Sequence, residues 1–328
     1  MESRKKVSII FHNKHVHLVI YDRYLRYIVS KKNRLEDIVD SGELLLKEGL
    51  IKDGRIMDKE GFHYHLERIV KQKKWKRANI SFIVSDGFVA IRHHQIPAGL
   101  KKEETKAVLQ REAKDQLRLP FQDPIIDFGL IKKLETTNEI LVFAYPRDVL
   151  NPYLAVMESV HLNPVIADVS SLALSRVYQQ FVTNRTDEQD TLILQWGKDG
   201  LVLAAFEHGL IVFSRHVPSP TDERMWSWSF ERNKLEWNGS EEDLQELMDT
   251  HLLTIERFLD FYRYSVQNGE KAIEKIVIAG DFPFLDLAIQ LLSEQTKVPV
   301  IEMGKYLPKT ISVAFSDLAG LLLRGNSK

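Results

Sequence analysis

The hydrophobic positions of the chain fall into two sets of short alternating segments, and helical periodicity follows each set. The alternation predicts two meanders of three strands each, over Val7–Phe11, His15–Tyr21, Tyr24–Val29, Leu192–Trp196, Leu201–Phe206 and Leu210–His216. Apolar residues at helical spacing then predict a long helix over Glu241–Val266. Because both halves open in the same way, the pattern indicates two lobes of related architecture.

A compact unit interrupts the first of these lobes. Residues 88–164 follow the order strand, helix, strand, strand and helix, which predicts a small α+β insert. The remaining divisions are a first-lobe core over 1–87 and 165–188, and a second lobe over 189–328. A helical subdomain is expected in the second lobe around residues 218–270. The sequence therefore predicts a two-lobed protein of the α/β class.

The composition excludes several classes of protein. The 328 residues include 45 Lys and Arg against 46 Asp and Glu, so no global field favours binding to nucleic acid. The absence of Cys excludes disulfides, thiolate catalysis and Cys-based metal sites, and the His residues match no metal-ligand motif. No apolar segment is long enough to span a membrane, and the N-terminus does not resemble a signal peptide. We therefore expect a cytoplasmic protein without a bound metal.

Charge is unevenly distributed along the chain. Residues 1–119 contain 26 Lys and Arg against 16 Asp and Glu, so the rest of the chain is strongly acidic. A basic cluster follows the first predicted helix and consists of Lys71, Lys73, Lys74, Lys76 and Arg77. One interpretation is a solvated helix end, where cations favour the helix dipole. The other is a surface that meets anionic lipid headgroups or an acidic partner.

Five short motifs occur in a characteristic order, and together they resemble a known family. They are Arg92 to Pro97 at a strand end, Glu112 with Pro120-Phe121, Asp127-Phe128, Asp168, and Glu256-Arg257. Their order and spacing resemble the type IV pilus assembly protein PilM family, which is related to the cell-division actin homologue FtsA. This resemblance implies an actin/Hsp70-like, ribonuclease H-like fold with two lobes and the α+β insert in the first lobe.

The resemblance also implies a partner. PilM-like proteins bind the short cytoplasmic N-terminal tail of a PilN-like membrane protein, in a groove between the first-lobe core and the insert. The residues expected to bracket this groove, some of them core residues, are Val89, Ile91, Ile96, Leu117, Leu119 and Phe121. An extended tail adds to a strand edge in such a groove. Such a partner would hold the protein at the inner face of the membrane, with other pilus-assembly components and self-association as further contacts.

Aromatic residues are concentrated in one segment of the second lobe that is predicted to be a polar loop. They are Trp226, Trp228, Phe230 and Trp237, and the large apolar side chain of Met225 belongs to the same segment. Two interpretations remain open for this segment. It forms a surface for a partner, or it folds as a flap on its own lobe.

The nucleotide-binding motifs of the actin-like fold are altered. Actin-like ATPases bind the phosphates through two glycine-turned hairpins, with an acidic residue beside each turn for magnesium. The family pattern places the first hairpin on Ile10, His12 and His17. It places the second hairpin on Gln195, Trp196 and Gly197, and the adenine-side glycine pair on Gly280 and Asp281. Both acids are missing, so we expect no hydrolysis and no bound cofactor. If ATP and magnesium do bind, the expected contacts are Lys14, Gly197, Lys198, Gly200 and Gly280.

These features favour a non-catalytic adaptor of a type IV pilus-like, competence or type II secretion-like assembly machine. Two alternatives of different classes remain. One is a nucleotide-binding actin-like ATPase whose ATP state regulates assembly, and the other is a filament-forming cytoskeletal element.

Overall fold

The structure is a computed structural model that describes residues 14–32, 34–183, 189–220 and 224–324. Its strands are β1 (His15–Ile20), β2 (Tyr24–Ser30), β3 (Ile38–Leu45), β4 (Ile51–Lys52), β5 (Arg55–Ile56), β6 (Asn79–Ile83), β7 (Ala90–Pro97), β8 (Pro124–Lys133), β9 (Thr137–Pro146), β10 (Asn163–Asp168), β11 (Thr191–Trp196), β12 (Gly200–Glu207), β13 (Leu210–Pro218), β14 (Trp226–Ser229), β15 (Lys234–Trp237), β16 (Lys275–Ala279) and β17 (Val300–Glu302). Its helices are α1 (Lys59–Lys73), α2 (Lys102–Glu112), α3 (Arg147–Ser159), α4 (Ser170–Val177), α5 (Glu241–Phe261), α6 (Leu285–Gln295) and α7 (Ser316–Arg324).

Two five-stranded sheets share one plan. The first has the strand order β10-β6-β1-β2-β3, and the second has the order β13-β12-β11-β16-β17. In each sheet the first strand pairs antiparallel with the next strand of a meander and parallel with a strand that arrives after a helix. The second sheet therefore repeats the arrangement of the first, as the two meanders in the sequence indicate.

The first sheet corrects one prediction. Its third meander strand is β3, which lies in a stretch that shows no alternation, and the predicted strand Val7–Phe11 lies outside the described residues. β3 is an edge strand, and Val39, Asp40 and Ser41 are exposed one after the other. An edge strand with polar side chains on both faces loses the period of two on which sequence prediction depends.

Helices α1 and α3 cover one face of the first sheet. Phe62 and Leu66 of α1 are fully buried against the sheet, and Trp75 closes the core just beyond the helix. The carboxylate of Asp58 caps the first turn of α1 by accepting from the backbone N–H of Gly61. At the other end Lys74 adopts a left-handed conformation and stops the helix. The helix thus runs back from the cleft side of the sheet to the start of β6.

The insert is a three-stranded antiparallel sheet in the order β7-β9-β8, with α2 packed on one face. Ile96, Leu109 and Val142 are among the buried residues that α2 and the sheet share. β9 is the central strand, so both β7 and β8 are edges of this sheet. β7 lies beside β13 of the second lobe, whereas β8 is the outer strand.

The aromatic segment of the second lobe is a β-hairpin rather than the polar loop that its composition predicts. β14 pairs antiparallel with β15, and Trp226 lies opposite Trp237. Trp226 is fully buried in the second-lobe core, and Trp228 and Trp237 pack against the same core. Phe230, at the tip, is 80% exposed. The hairpin therefore folds as a flap on its own lobe, and only Phe230 is available as a large exposed aromatic side chain.

Helices α4 and α7 cross at very short range and join the two lobes. A Cβ added at Gly320 of α7 would lie 1.9 Å from the carbonyl oxygen of Ala173 in α4. The Arg176 guanidinium of α4 also donates to the carbonyl oxygen of Gly320, at 3.0 Å. Only a residue without a side chain permits this approach of two helix backbones.

Within the part of the chain that the structure describes, no helix combines the length and the hydrophobicity that a membrane span requires.

We predict that Gly320→Ala destabilises the protein by about 1–3 kcal/mol or more, because the added methyl group forces the α4–α7 crossing apart. The matched control is Gly129→Ala in β8, where an added Cβ meets no atom within 4 Å. Urea denaturation of both variants measures the difference. Equal midpoints for the two variants would contradict the tight crossing.

Candidate functional site

The cleft between the lobes lies where the first strand of each sheet ends. The β1–β2 turn comprises residues 21–23, and the β11–β12 turn comprises residues 197–199. Two cavities of about 550 and 350 Å³ open beside these turns. Such volumes lie within the range of small-molecule pockets, so size alone excludes no ligand. The lining side chains must decide what the cleft can bind.

Four charged side chains meet in the cleft and bridge the two lobes. Arg26 of β2 and Glu43 of β3 come from the first sheet, and Lys198 and Asp281 come from the second lobe. The Arg26 guanidinium pairs with Glu43 at 2.9 Å and also with Asp281, while the Lys198 ammonium pairs with Glu43 at 3.1 Å and with Asp281 at 3.3 Å. These side chains are only 1%, 9%, 5% and 3% exposed, in the order Arg26, Glu43, Lys198 and Asp281. We call these four residues the cleft tetrad.

The tetrad is balanced, with two cations and two carboxylates. Burial alone raises the pKa of a carboxyl group, but Arg26 and then Lys198 lower the pKa of Asp281 to about 2. The Tyr24 hydroxyl adds a further hydrogen bond to Asp281, at 2.9 Å. Buried charges of opposite sign that are also hydrogen-bonded need no external counter-ion.

The backbone donors of the second hairpin already have acceptors within the protein. The N–H of Lys198 donates to the Asp281 carboxylate at 3.0 Å, and the N–H of Gly197 donates to the carbonyl oxygen of Gly200 at 2.8 Å. In a nucleotide-binding hairpin such amides point at the phosphates. Here the Asp281 carboxylate accepts the hydrogen bond of the Lys198 amide, and the carbonyl oxygen of Gly200 in the same turn accepts that of the Gly197 amide.

Backbone geometry explains why two positions of the cleft are glycines. Gly200 and Gly280 both have φ near +140°, and a Cβ on either one would lie within about 2.1 Å of a backbone carbonyl oxygen, of Val217 and Trp196 respectively. Both positions require glycine because two backbone segments pass so closely. The structure therefore places Gly197, Lys198, Gly200 and Gly280 together in the cleft, as expected for a nucleotide site, but explains the glycines without a nucleotide.

The first hairpin differs from the prediction. His17 lies in the middle of β1, where its Nε2 is 3.2 Å from Ser30 Oγ, and burial and then His15 lower its pKa to about 3. Ile10 and His12 lie outside the described residues. The expectation that the hairpin falls over these residues is wrong, because the turn at the cleft is residues 21–23. The segment HVHLVI alternates histidine with apolar residues and is typical of a strand, not of a turn.

Lys14 also lies far from the cleft. It precedes β1, and its carbonyl oxygen accepts from the N–H of Asn79 at the start of β6. The six residues of β1 separate it from the turn at residues 21–23, a distance of about 20 Å. The prediction that Lys14 contacts a nucleotide is therefore wrong, whereas Lys198 lies in the cleft as predicted.

The smaller cavity is lined by carboxylates. Asp22, Asp53, Asp86 and Asp199 all face it. Burial raises the pKa of Asp86 to about 7, and burial followed by the charge of Asp281 raises the pKa of Asp199 to about 8. The Asp22 carboxylate already accepts from the N–H groups of Asp53 and Gly54, at 2.7 and 3.0 Å. Asp199 is therefore mostly protonated at neutral pH, and no Lys or Arg among the described residues lines this cavity to bind a triphosphate.

The described residues do not supply a metal site beside these acids. Among the described residues, no group of three or more His, Asp or Glu is arranged to hold a metal. The magnesium-side position of the second hairpin is Gln195, whose side-chain amide donates to Asp317 at 3.2 Å. The residues present do not fit a magnesium-bound nucleotide, because the amide is a weak ligand and the nearby charges are already matched to each other.

The predicted groove residues do not form one surface. Ile96 and Leu117 are 2% exposed in the core of the insert, and Leu119 and Phe121 pack against that core while partly exposed. Val89 packs against the first-lobe core. Ile91 packs on the other face of the insert sheet, against a cluster shared with the second lobe. The structure therefore brings four of the six together and separates the other two.

The seam where the first-lobe core leads into β7 of the insert is bridged by side chains. The Arg55 guanidinium lies 4.7 Å from the ring centroid of Phe88 and pairs with Asp148 at 3.1 Å. Beside it, the Tyr153 hydroxyl donates to the carbonyl oxygen of Gly54 at 3.0 Å. Met57 follows β5 and is 64% exposed. The seam offers aromatic and cationic side chains to a partner, although Arg55 already has contacts there.

The outer strand of the insert carries an apolar surface that sequence reasoning missed. Leu130 in β8 is 50% exposed, and Phe128 on the same strand is partly exposed. The pairing of β8 with β9 shifts between Leu130 and Lys132, and Lys132 and Lys133 end the strand with charge. Bulges and lysines protect edge strands from unwanted pairing, so the segment before the bulge is the open part of this edge. The alternation of the sequence predicts the strand, but it carries no information about which strand forms the edge.

Comparisons with known proteins place the chain in a family. The family model described as "Type IV pilus assembly protein PilM" matches residues 29–219, more than half of the chain. The chain belongs to the PilM family. No curated protein matches the sequence.

Solved structures agree with this family on the fold. The structure "PilM-PilN type IV pilus biogenesis complex" is similar with a TM-score of 0.72 and 15% identity, and the match covers 97% of this chain and 100% of that one. The ethanolamine utilization protein EutJ from Carboxydothermus hydrogenoformans has a TM-score of 0.49 and 13% identity, covering 94% and 89%. MreB 5 of Spiroplasma citri bound to AMPPNP has a TM-score of 0.46 and 11% identity, covering 94% of each chain. This PilM-family chain has the actin-like fold that the sequence motifs imply.

We predict that Asp281→Asn destabilises this PilM-family protein by about 3–5 kcal/mol, because it leaves two buried cations, Arg26 and Lys198, with Glu43 as the single carboxylate of the tetrad. Asp286→Asn, an exposed change five residues later, is the control and should alter stability by about 0.5 kcal/mol or less. Urea denaturation measures both.

The same variant tests whether carboxylates replace phosphates in the cleft. Inorganic pyrophosphate should raise the melting temperature of Asp281→Asn and leave that of the wild type unchanged, because only the variant has unmatched cations. If Asp281→Asn has the same melting temperature as Asp286→Asn, both with and without pyrophosphate, the role given to the tetrad is wrong.

The raised pKa of Asp199 generates a prediction about pH. A carboxyl group whose pKa is higher in the folded state contributes stability at low pH, and this contribution is lost as the pH rises through about 8. Asp199→Asn cannot ionise, so its free energy of unfolding should fall less than that of the wild type between about pH 5 and pH 8. Asp86 remains in the variant and accounts for part of the residual slope. Equal slopes, measured by urea denaturation across this range, would show that Asp199 ionises freely in the folded state.

Proposed function

We propose that this PilM-family chain is a non-catalytic adaptor of a type IV pilus-like assembly machine. It binds the cytoplasmic N-terminal tail of a PilN-like membrane protein and is held at the membrane through that partner. The observation that carries the non-catalytic part of the proposal is the cleft tetrad, which joins the lobes without a nucleotide.

A nucleotide would have to displace contacts that the protein already makes. Binding of phosphate beside Lys198 requires that the Lys198 N–H and ammonium release Asp281 and Glu43. Two carboxylates would then remain buried next to an incoming polyanion. Breaking one buried pair costs about 3–5 kcal/mol, which is comparable to a thousandfold loss in affinity. The tetrad therefore supports a cleft that remains closed and empty of ATP.

Family membership supports the partner. The solved neighbour with the TM-score of 0.72 is a PilM protein in complex with PilN. At 15% identity this likeness concerns the fold, and the proposal of a PilN-like tail for this chain draws on the shared family.

The open edge of β8 suits an extended tail. A peptide that adds to a strand edge gains backbone hydrogen bonds, and alternate side chains of the peptide find apolar contacts on the neighbouring face. Within the described residues no strand pairs with the outer side of β8, and Leu130 and Phe128 offer apolar surface before its bulge. We propose this edge, together with Leu119 and Phe121 of the same insert, as the surface that meets the tail.

Binding of the tail can be tested with a synthetic peptide copied from the cytoplasmic N-terminal tail of a PilN-like protein. We expect Leu130→Lys to weaken its binding at least about tenfold, since a cation replaces an apolar contact in the interface. Leu210→Lys in β13 is a matched control, because Leu210 is also a partly exposed leucine on an edge strand, at 39% exposure. Isothermal titration calorimetry with both variants gives the two affinities. If the two substitutions weaken the peptide equally, β8 is not the site.

The non-catalytic part has a separate test. Titration of the wild type with Mg-ATP should give no heat of binding, and phosphate release should equal that of buffer. Micromolar binding that Gly200→Val abolishes would overturn the non-catalytic part and favour the alternative of an ATP-regulated protein. Because the peptide titration contains no nucleotide, either part of the proposal can fail without the other.

A further inference from the structure

Six exposed cations meet at the end of the first sheet that points away from the cleft. Lys14 precedes β1, Lys31 and Lys32 follow β2, and Lys74, Lys76 and Arg77 lie between α1 and β6. Three separate segments of the chain thus bring positive charge to one end of the sheet. We call these six residues the basic face.

Backbone contacts place the segments of the basic face side by side. The N–H of Asn79, two residues after Arg77, donates to the carbonyl oxygen of Lys14 at 3.1 Å. His15 pairs with Ser30 in the sheet, so Lys14 and Lys31 lie next to each other at the ends of neighbouring strands. The basic cluster of the sequence is therefore larger in the fold than along the chain.

Carboxylates neutralise this face only in part. Within the described ranges, no salt bridge joins any of the six cations to a carboxylate. Glu67 and Asp40 are engaged with Lys71 and Lys73, at 3.1 and 3.3 Å. Arg34 pairs with Glu36 and Asp37, and Arg34 first, then Lys32 and Lys31, lower the pKa of Asp37. The six side chains are exposed to solvent.

A solvated helix end does not explain the basic face. The helix dipole favours cations in the last turn of α1, where Lys71 and Lys73 lie, but these two are already paired. Lys14 and Lys31 flank strands, which have no comparable dipole. Arg77 has φ of +64° in the turn that the N–H of Ala78 closes onto Trp75, a position that favours glycine. A cation is present there in spite of the backbone preference.

We propose that the basic face contacts an anionic lipid bilayer directly. Neighbouring strands are spaced about 4.8 Å apart, so the ends of β10, β6, β1 and β2 form a face about 15 Å wide. Within the described residues, none of the six cations lines the two cavities of the cleft, and no large exposed apolar side chain lies in their three segments. A planar anionic surface can contact all of these cations simultaneously, because they point outward from neighbouring strand ends.

This contact is additional to the proposed binding of a membrane protein's tail, and it would orient the first lobe with its cleft away from the bilayer.

Vesicle sedimentation of the full chain, without tail peptide, tests the proposal. The wild type should bind vesicles of phosphatidylcholine mixed with phosphatidylglycerol and should not bind phosphatidylcholine alone. Each Lys near an anionic surface strengthens binding roughly fivefold, so K14E/K31E/K76E should weaken it on the order of 100-fold. Added salt should weaken the wild type as well, because it screens exposed charges.

The control K114E/K297E/K309E changes net charge by the same amount at exposed lysines of the insert and the second lobe. It should retain binding to the mixed vesicles, and circular dichroism should show that both triple variants are folded. Equal loss in both variants, equal binding to neutral vesicles, or no binding by the wild type would overturn the proposal. Binding of a polyglutamate peptide in place of vesicles would also overturn it, in favour of an acidic protein partner. None of these results bears on the proposed binding of the PilN-like tail, because no tail peptide is present.

Discussion

The two lobes are held together by four buried charges that pair both within each lobe and across the cleft. Arg26 and Lys198 are buried on opposite sides of the cleft, and each touches a carboxylate of the other lobe, Asp281 and Glu43 respectively. Each lobe alone keeps one ion pair, Arg26 with Glu43 or Lys198 with Asp281. Opening the cleft therefore removes one of the two ionic contacts that each member of the tetrad makes. Side chains of the protein itself thus help to fix the relative position of the lobes.

This arrangement shows how an actin-like fold can keep its shape with different chemistry between its lobes. Gly200 and Gly280 remain at close backbone crossings that the fold requires. Around them the pattern of the actin-like fold expects an acid where this chain has Gln195 and a glycine where it has Asp281. Backbone geometry constrains the glycines, whereas buried charges such as Asp281 are constrained by the need for a partner of opposite charge.

The sequence predicts much of the fold and less of the site. Two meanders with regular alternation predict the paired sheets, and the altered hairpin at Gln195 is evident from residue type alone. The edge strand β3 has no alternation, so the pairing of its Glu43 with Arg26 could not be foreseen. The position of the first hairpin was the second difficulty. His17 was assigned to the hairpin but belongs to strand β1, and the histidine-rich segment has no turn residues. Contacts between residues distant in sequence depend on strand order, which local patterns do not encode.

The crossing of α4 and α7 has a mechanical consequence. At Gly320 the two helices touch through their backbones, with no layer of side chains between them that could repack. Backbone in a helix is stiff, and interiors this dense transmit displacement instead of absorbing it. The crossing can therefore act as a fulcrum. A pull on the insert at one side of the molecule would reach the far side as a rotation of one rigid lobe, with little distortion within either.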